Sequence, residues 1–231
     1  MKRFFLIICI FFSLISCNNK EALMRLQENE EGVQNPTSIE ELELAIQKYQ
    51  RRVDDIMLAQ NRVAIWYKML GTRYIDAKMY KKAVDAFLEA LEYYPHNHNL
   101  YYQLGLAASQ VAKMNVGFSF QESEENYLSL AIDAYSKCLV LEPEYTKAAY
   151  ALSVIYTYET GEYEKAVPIL EDIVKRESKN YDAFFVLGAA YYLDGDYVSA
   201  KQSYQKIIDT AKDKKIIDSA KKNILELEMQ Y

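Results

Sequence analysis

Glycine, proline, cysteine and histidine are all scarce in this chain of 231 residues, at 7, 4, 3 and 2 residues respectively. An all-β protein of this length needs many more tight turns than so few glycines and prolines allow. A chain with 51% apolar residues is also too hydrophobic to be disordered. Its formal net charge of −6 is the opposite of the basic stripe that nucleic-acid binding requires. The composition therefore indicates a folded, helical, acidic protein.

The residue patterns that carry catalysis or metal binding are missing too. The sequence contains no glycine-rich phosphate loop, no Ser/His/Asp arrangement and no metal-binding cysteine pair. His96 and His98 flank Asn97 in a predicted turn, and zinc needs three or four ligands, so a solvated turn is the better interpretation. Cys138 lies in a helical pattern far from either histidine and is expected to be a core residue. We expect no enzyme activity, no metal and no cofactor.

The amino terminus differs in composition from the rest. Lys2 and Arg3 precede an apolar run, Phe4 to Ile15, which is shorter than the roughly 20 residues needed to cross a bilayer as a helix. A basic start before a short apolar run is the layout of a secretory signal. The run ends in Leu14-Ile15-Ser16-Cys17, which resembles the lipobox of bacterial lipoproteins. The alternative is a secretory signal that contains a cysteine by chance.

The lipobox resemblance implies that residues 1–16 are a removed signal peptide and that Cys17 carries the lipid. The protein would then be anchored to the inner or outer membrane of the cell envelope, facing the periplasm or the cell surface. Residues 17–37 are predominantly polar and are interpreted as the lipidated cysteine and a tether.

A helix is predicted over residues 38–60. Ser38 and Glu41 have the spacing of a capping box. The apolar residues that follow recur at helical spacing: Leu42, Ala45, Ile46, Tyr49, Val53 and Ile56. We interpret this segment as an N-terminal packing helix.

The middle of the chain repeats. The first copy reads Tyr67-x2-Leu70-Gly71-x2-Tyr74, then Ala83-x3-Phe87, Ala90 and Pro95. Leucines recur at positions 70, 104, 152 and 187, so they are separated by 34, 48 and 35 residues. Alanines recur at positions 83, 131, 166 and 200, with separations of 48, 35 and 34 residues. These spacings place a 14-residue insertion between Gly105 and Ala131 and one extra residue in the turn near Gly161. The pattern resembles the tetratricopeptide repeat (TPR).

This resemblance implies an all-α solenoid of stacked helical hairpins. Four repeats are predicted, at residues 64–97, 98–145 with the insertion, 146–180 and 181–214. The N-terminal helix and a C-terminal capping helix at residues 215–231 flank them. Gly71, Gly105 and Gly188 are expected where paired helices approach closely. Trp66 and most of the 21 tyrosines are expected in the core.

A face on the first helix of each pair is the candidate binding site. In TPR proteins this face lines a groove that binds peptides. Triplets spaced i, i+4, i+7 share one helix face: Lys68-Thr72-Ile75, Tyr102-Leu106-Ser109, Tyr150-Val154-Thr157 and Phe185-Ala189-Tyr192, with Tyr158 beside them. The alternative is that a terminal helix fills the groove. Thr72 and Leu106 stand where carboxylate-clamping TPR proteins have asparagine, so a clamp for an acidic tail is not expected.

The resulting hypothesis is a lipid-anchored adaptor or scaffold that binds a protein or peptide partner in the groove. One alternative is a periplasmic carrier for a small hydrophobic ligand or a transporter accessory, and another is a factor for outer-membrane or pilus assembly. The partners are a protein and the membrane, not nucleic acid. The tip of the insertion, Met114 to Phe120, either contacts a partner or packs back on the repeat.

Overall fold

The computed structural model describes residue 36, residues 38–115 and residues 121–229. The predicted signal peptide, Cys17 and almost all of the tether lie outside these residues, as does the tip of the insertion at 116–120. In the described parts all regular structure is helical, and the fold is an all-α TPR solenoid.

The helices follow one another through short turns. They are α1 (Ile39–Asp76), α2 (Tyr80–Tyr93), α3 (His98–Asn115), α4 (Gln121–Leu141), α5 (Thr146–Ile155), which continues as a π-helical turn (Tyr156–Thr160), α6 (Tyr163–Arg176), α7 (Tyr181–Asp194), α8 (Tyr197–Thr210) and α9 (Lys214–Met229). The chain divides into two compact units, residues 1–59 and 60–231.

The described part of the first unit is the beginning of α1. The capping box is formed as predicted: the Glu41 amide donates to the Ser38 hydroxyl at 3.1 Å, and the Ser38 amide donates to the Glu41 carboxylate at 3.2 Å. The boundary predicted at residue 60 is not a helix end, because α1 runs on to Asp76. The predicted packing residues of this segment are also largely exposed, from 42% at Tyr49 to 59% at Ile56.

The second unit is built from helix pairs held together by small residues facing large ones. A Cβ placed on Gly71 would lie 2.7 Å from the Phe87 ring. Gly105 has the same relation to Tyr135 at 2.7 Å, and Gly188 to Tyr204 at 2.6 Å. Real Cβ atoms do not come so close, so these positions have room only for hydrogen. The close approach predicted from the motif is therefore present in three pairs.

The third helix pair has different residues at the positions of the glycine and the facing aromatic ring. Buried Ser153 replaces the glycine, and the residue at the position of the facing aromatic ring is the smaller Leu170. The Ser153 hydroxyl donates to the Tyr150 carbonyl at 2.8 Å, so its polar group is satisfied within α5. The motif thus preserves the combined volume of each facing pair.

The 14-residue insertion lengthens two helices. α3 has 18 residues and α4 has 21, against 14 in α2, α6, α7 and α8.

The single extra residue is not where the sequence suggested. It was expected in the turn near Gly161, but it lies in the helix before it, as a π-helical turn. The hydrogen bonds that close three of the turns show the difference. In two pairs the Tyr74 and Tyr191 carbonyls accept from the amides five residues later, whereas the Tyr156 carbonyl accepts from both Gly161 and Glu162, five and six residues later.

Trp66 is not a core residue, contrary to expectation. It is 63% exposed, with Ile65 and Met69 also exposed beside it on α1. These residues lie on the first helix of the second unit, so no earlier helix of that unit covers them. The tyrosines are divided: Tyr135, Tyr156 and Tyr204 are buried, and many others are only partly so.

The carboxyl-terminal end of the solenoid is capped as predicted. Ala220 and Leu227 of α9 are buried in a cluster with Tyr204 and Ile207. The opposite face of α9 is polar, with Lys222 and Glu226 paired at 3.5 Å. A polar outer face is what the end of a repeat array requires.

Candidate peptide-binding groove

Among the first helices of the pairs, α3 contacts α5, and α5 contacts α7. This arrangement places the predicted site residues of these three helices on neighbouring elements, and Lys68 and Thr72 lie on α1. Lys68 and Thr72 are exposed, and Tyr158 is 55% exposed. The remaining predicted residues are partly buried: Tyr102, Leu106, Tyr150, Phe185 and Tyr192.

The partly buried residues of this face also contribute to the packing of the fold. Tyr102 and Tyr150 pack against the main core cluster, and Phe185 and Tyr192 pack against the carboxyl-terminal cluster. These rings therefore contribute to the packing of the fold and remain partly exposed. The candidate binding face is therefore half-embedded in the fold and is not a row of fully exposed rings.

Two members of the predicted triplets do not reach the surface. Ser109 and Thr157 are 8% and 2% exposed. The Ser109 hydroxyl donates to the Leu106 carbonyl at 2.9 Å, and the Thr157 hydroxyl donates to the Ser153 carbonyl at 2.8 Å. Because these hydroxyls are satisfied inside their own helices, they offer nothing to a ligand.

At α1 the face is polar. The Thr72 hydroxyl donates to the Lys68 carbonyl at 3.0 Å, which leaves the Lys68 ammonium as the charged group presented here. That no carboxylate clamp forms here stays a prediction from the sequence, which has Thr72 and Leu106 at the asparagine positions.

The middle of the face is an aromatic cluster that the sequence identified only in part. The ring of Tyr102 contacts Tyr145 edge-on, with centroids 5.3 Å apart, and lies 6.0 Å from Tyr135. His98, interpreted above as a solvated turn residue, is partly buried with its ring 5.2 Å from Tyr145. Burial raises the pKa of Tyr102 and of Tyr145. Tyr145 was missed because it precedes its helix, outside the i, i+4, i+7 pattern.

Tyr150, Tyr158 and Phe185 continue the face across α5 and α7. Burial raises the pKa of Tyr150, and the nearby Asp182 carboxylate raises it further. Tyr158 belongs to the π-helical turn, so the extra residue determines where its side chain points. Although Tyr158 is 55% exposed, desolvation raises the pKa of its hydroxyl.

Helix α9 closes the carboxyl-terminal end of the face. A cavity of about 290 Å³ lies there, lined by Tyr192, Tyr204, Asn223, Glu226, Leu227 and Met229. Burial raises the pKa of Tyr204 to about 12. Among the described residues, α9 therefore contributes to the wall at this end of the face, whereas Tyr158 is 55% exposed.

The described residues offer little for chemistry. Among them no three His, Cys, Asp or Glu side chains come together to hold a metal ion. Burial raises the pKa of the Cys138 thiol to about 11, which keeps it protonated and unreactive at neutral pH. Within residues 38–115 and 121–229, no helix has the length and apolar character needed to span a membrane.

Comparison with known proteins is consistent with this architecture. Residues 154–214 match the tetratricopeptide repeat family. A "TPR repeat-containing protein" of Borreliella burgdorferi is 25% identical over 212 residues, covering 89% of this chain and 90% of the relative.

Solved TPR structures share the fold. YrrB, described as a TPR protein with an unusual peptide-binding site, superposes with a TM-score of 0.58 at 22% identity, covering 87% of this chain and 97% of YrrB. MamA from Desulfovibrio magneticus RS-1 gives a TM-score of 0.56 at 19% identity, covering 73% of this chain and 96% of that structure. Residues 154–214 therefore match the tetratricopeptide repeat family, and the fold of the described residues is the all-α solenoid of TPR proteins.

Proposed function

We propose that this chain is a lipid-anchored adaptor of the bacterial cell envelope that holds a protein or peptide partner in the groove formed by α1, α3, α5 and α7. The observation that carries the proposal is the set of partly buried aromatic rings on α3, α5 and α7 together with the exposed Tyr158. Rings fixed on one side by packing lose little entropy when a partner covers the other side. Aromatic anchors of this kind dominate binding energy in protein interfaces.

Two further observations favour a peptide over a small apolar ligand. The cavity beside Tyr192 is about 290 Å³, and its wall includes the polar Asn223 and Glu226. The walls of small-ligand pockets are mostly apolar, with only a few polar groups. YrrB, a structure with the same fold, is described as having a peptide-binding site.

The lipid anchor rests on the Leu14-Ile15-Ser16-Cys17 motif and the short apolar run before it. Its test is Cys17→Ser in the full-length protein. We expect the wild-type protein to partition into the detergent phase. We expect the Cys17→Ser variant either to retain its signal peptide or to partition into the aqueous phase. Equal partitioning of the two into detergent would contradict lipidation of Cys17.

The groove is tested by site-specific photo-crosslinking in intact cells. A photoreactive phenylalanine replaces Tyr158 in one variant and Val198, which is 69% exposed on α8, in the control. We expect a discrete adduct of higher mass from position 158 and none from position 198. Equal adducts at both positions, or none at 158, would contradict partner binding in the groove. An apolar fluorescent probe that binds wild type but not Tyr158→Ser, in the absence of any adduct, would favour the ligand carrier.

A further inference from the structure

A regular apolar face on the first half of α1 is not used by the groove. It consists of Ile39, Leu42, Ile46, Tyr49, Val53 and Ile56, here called the heptad face. The separations between successive residues are 3, 4, 3, 4 and 3. This 3.5-residue period is that of the a and d positions of helices that pack along their length against another helix.

All six side chains are exposed, from 42% at Tyr49 to 73% at Ile39. A shallow trough of about 400 Å³ runs along them and includes Leu42, Ile46, Tyr49 and Val53. A contiguous apolar surface of this kind on a soluble domain marks an interaction site.

We infer that the heptad face binds the heptad face of a second copy of this chain, forming an antiparallel two-helix coiled coil. In that alignment Ile39 lies opposite Ile56 of the other copy, Leu42 opposite Val53, and Ile46 opposite Tyr49. All six residues of each copy are covered, and the bulky Tyr49 faces Ile46 instead of another tyrosine.

Charge favours a second copy over a lipid surface. Residues 39–59 carry five acidic side chains and three basic ones, so the segment has a net charge of −2, which an anionic membrane repels. The positions flanking the face are Glu43, Ala45, Gln50, Arg52, Met57 and Ala59. With only one acid and one base among them, two copies bring no cluster of like charge together. The antiparallel alignment places Glu43 beside Gln50 and Arg52 beside Ala45.

The size of the contact is sufficient. Covering one such side chain removes on the order of 100 Å² of surface from water. Twelve side chains from two copies give roughly 1,000 Å² in total, the lower bound for a specific interface.

The test is sedimentation of the mature chain carrying Cys17→Ser, which removes the proposed lipid and leaves the rest of the mature sequence. Ile46→Glu with Val53→Glu disrupts the face. Leu44→Glu with Leu58→Glu is the matched control, because these residues are equally apolar and exposed on α1, at 63% and 56%, but lie off the face. We expect wild type and control to be dimers at micromolar concentration and the face variant to be a monomer with unchanged helicity.

A wild type that stays monomeric over the whole concentration range, or a face variant that stays dimeric, would overturn the inference. Monomeric wild type that binds phosphatidylglycerol vesicles through the face would assign it to the membrane instead. Orientation is read from disulfides: a mixture of Leu42→Cys and Val53→Cys chains should crosslink 42 to 53. Crosslinking of Leu42→Cys to itself would contradict the antiparallel arrangement.

Discussion

Apolar side chains are buried at the carboxyl-terminal end of the second unit and exposed at its amino-terminal end. At the carboxyl-terminal end, Leu227 of α9 is 6% exposed and packs with Tyr204 and Ile207. At the amino-terminal end, Leu70 of α1 is 41% exposed, although it is a leucine of the repeat motif, and Trp66 is 63% exposed. A repeat helix is complete only when another helix covers its outer face. The comparison shows that one end of the array carries its own cap and the other presents repeat surface.

The same chemical change at both ends should therefore have unequal cost. Leu227→Ala removes a buried side chain and leaves a cavity, so we expect the free energy of unfolding to fall by about 3 kcal/mol. Leu70→Ala removes a side chain that is already partly in water, and we expect about 1 kcal/mol or less. Chemical denaturation followed by circular dichroism measures both. Equal losses would mean that the amino-terminal end is covered after all.

A substitution at an interior position of the second unit gives a reference for the stability losses expected at the two ends. Gly105→Leu forces a side chain into the Tyr135 ring, which lies 2.7 Å from the position of the missing Cβ. We expect a loss of roughly 1–3 kcal/mol or more, since overpacking displaces a buried aromatic ring. Val140→Leu on α4, where the side chain is 73% exposed, is the control. An unchanged melting temperature for Gly105→Leu would show that the repeat frame is wrong there.

The turns of the first and last pairs offer a smaller contrast. Both turns place one residue in the left-handed region, Lys78 at φ 58° and Gly195 at φ 87°. Glycine adopts this conformation without strain, whereas lysine does not. We expect Lys78→Gly to stabilise the protein by up to about 1 kcal/mol and Gly195→Ala to destabilise it by about 1 kcal/mol.

The outcome is read from thermal melts of the two variants beside wild type. Nothing lies within 4 Å of a Cβ built on Gly195, so a loss there measures backbone strain alone. Destabilisation by both substitutions would indicate that the Lys78 side chain makes a contact worth more than its strain.

The repeat frame and the close glycine contacts follow from the sequence because they depend on fixed local spacing. Gly71, Gly105 and Gly188 each meet an aromatic ring 16 or, across the insertion, 30 residues later in the chain. Spacing also indicated one extra residue before Ala166, but counting cannot distinguish a longer turn from a π-helical turn inside α5. Whether the extra residue lies in the turn or in the helix depends on backbone hydrogen bonds, and it determines the position of the Tyr158 side chain.

The exposure of Trp66 and the half-burial of the groove residues were not predictable in the same way. A position in the repeat motif specifies which side of its helix a residue lies on. Whether the residue is buried depends on whether another helix or side chain packs against that side. Trp66 faces the place of a preceding repeat, and the second unit has none. Tyr102 shows the opposite case, because Tyr145, which the pattern did not include, packs against its ring at 5.3 Å.

The most direct test of an open amino-terminal end is acrylamide quenching of Trp66, the single tryptophan in the sequence. Because the side chain is 63% exposed, we predict that quenching in the native protein approaches that in the unfolded protein. The result should be the same in the Ile46→Glu, Val53→Glu variant, since Trp66 lies outside the heptad face. A native tryptophan strongly protected from acrylamide, with blue-shifted emission, would contradict the account.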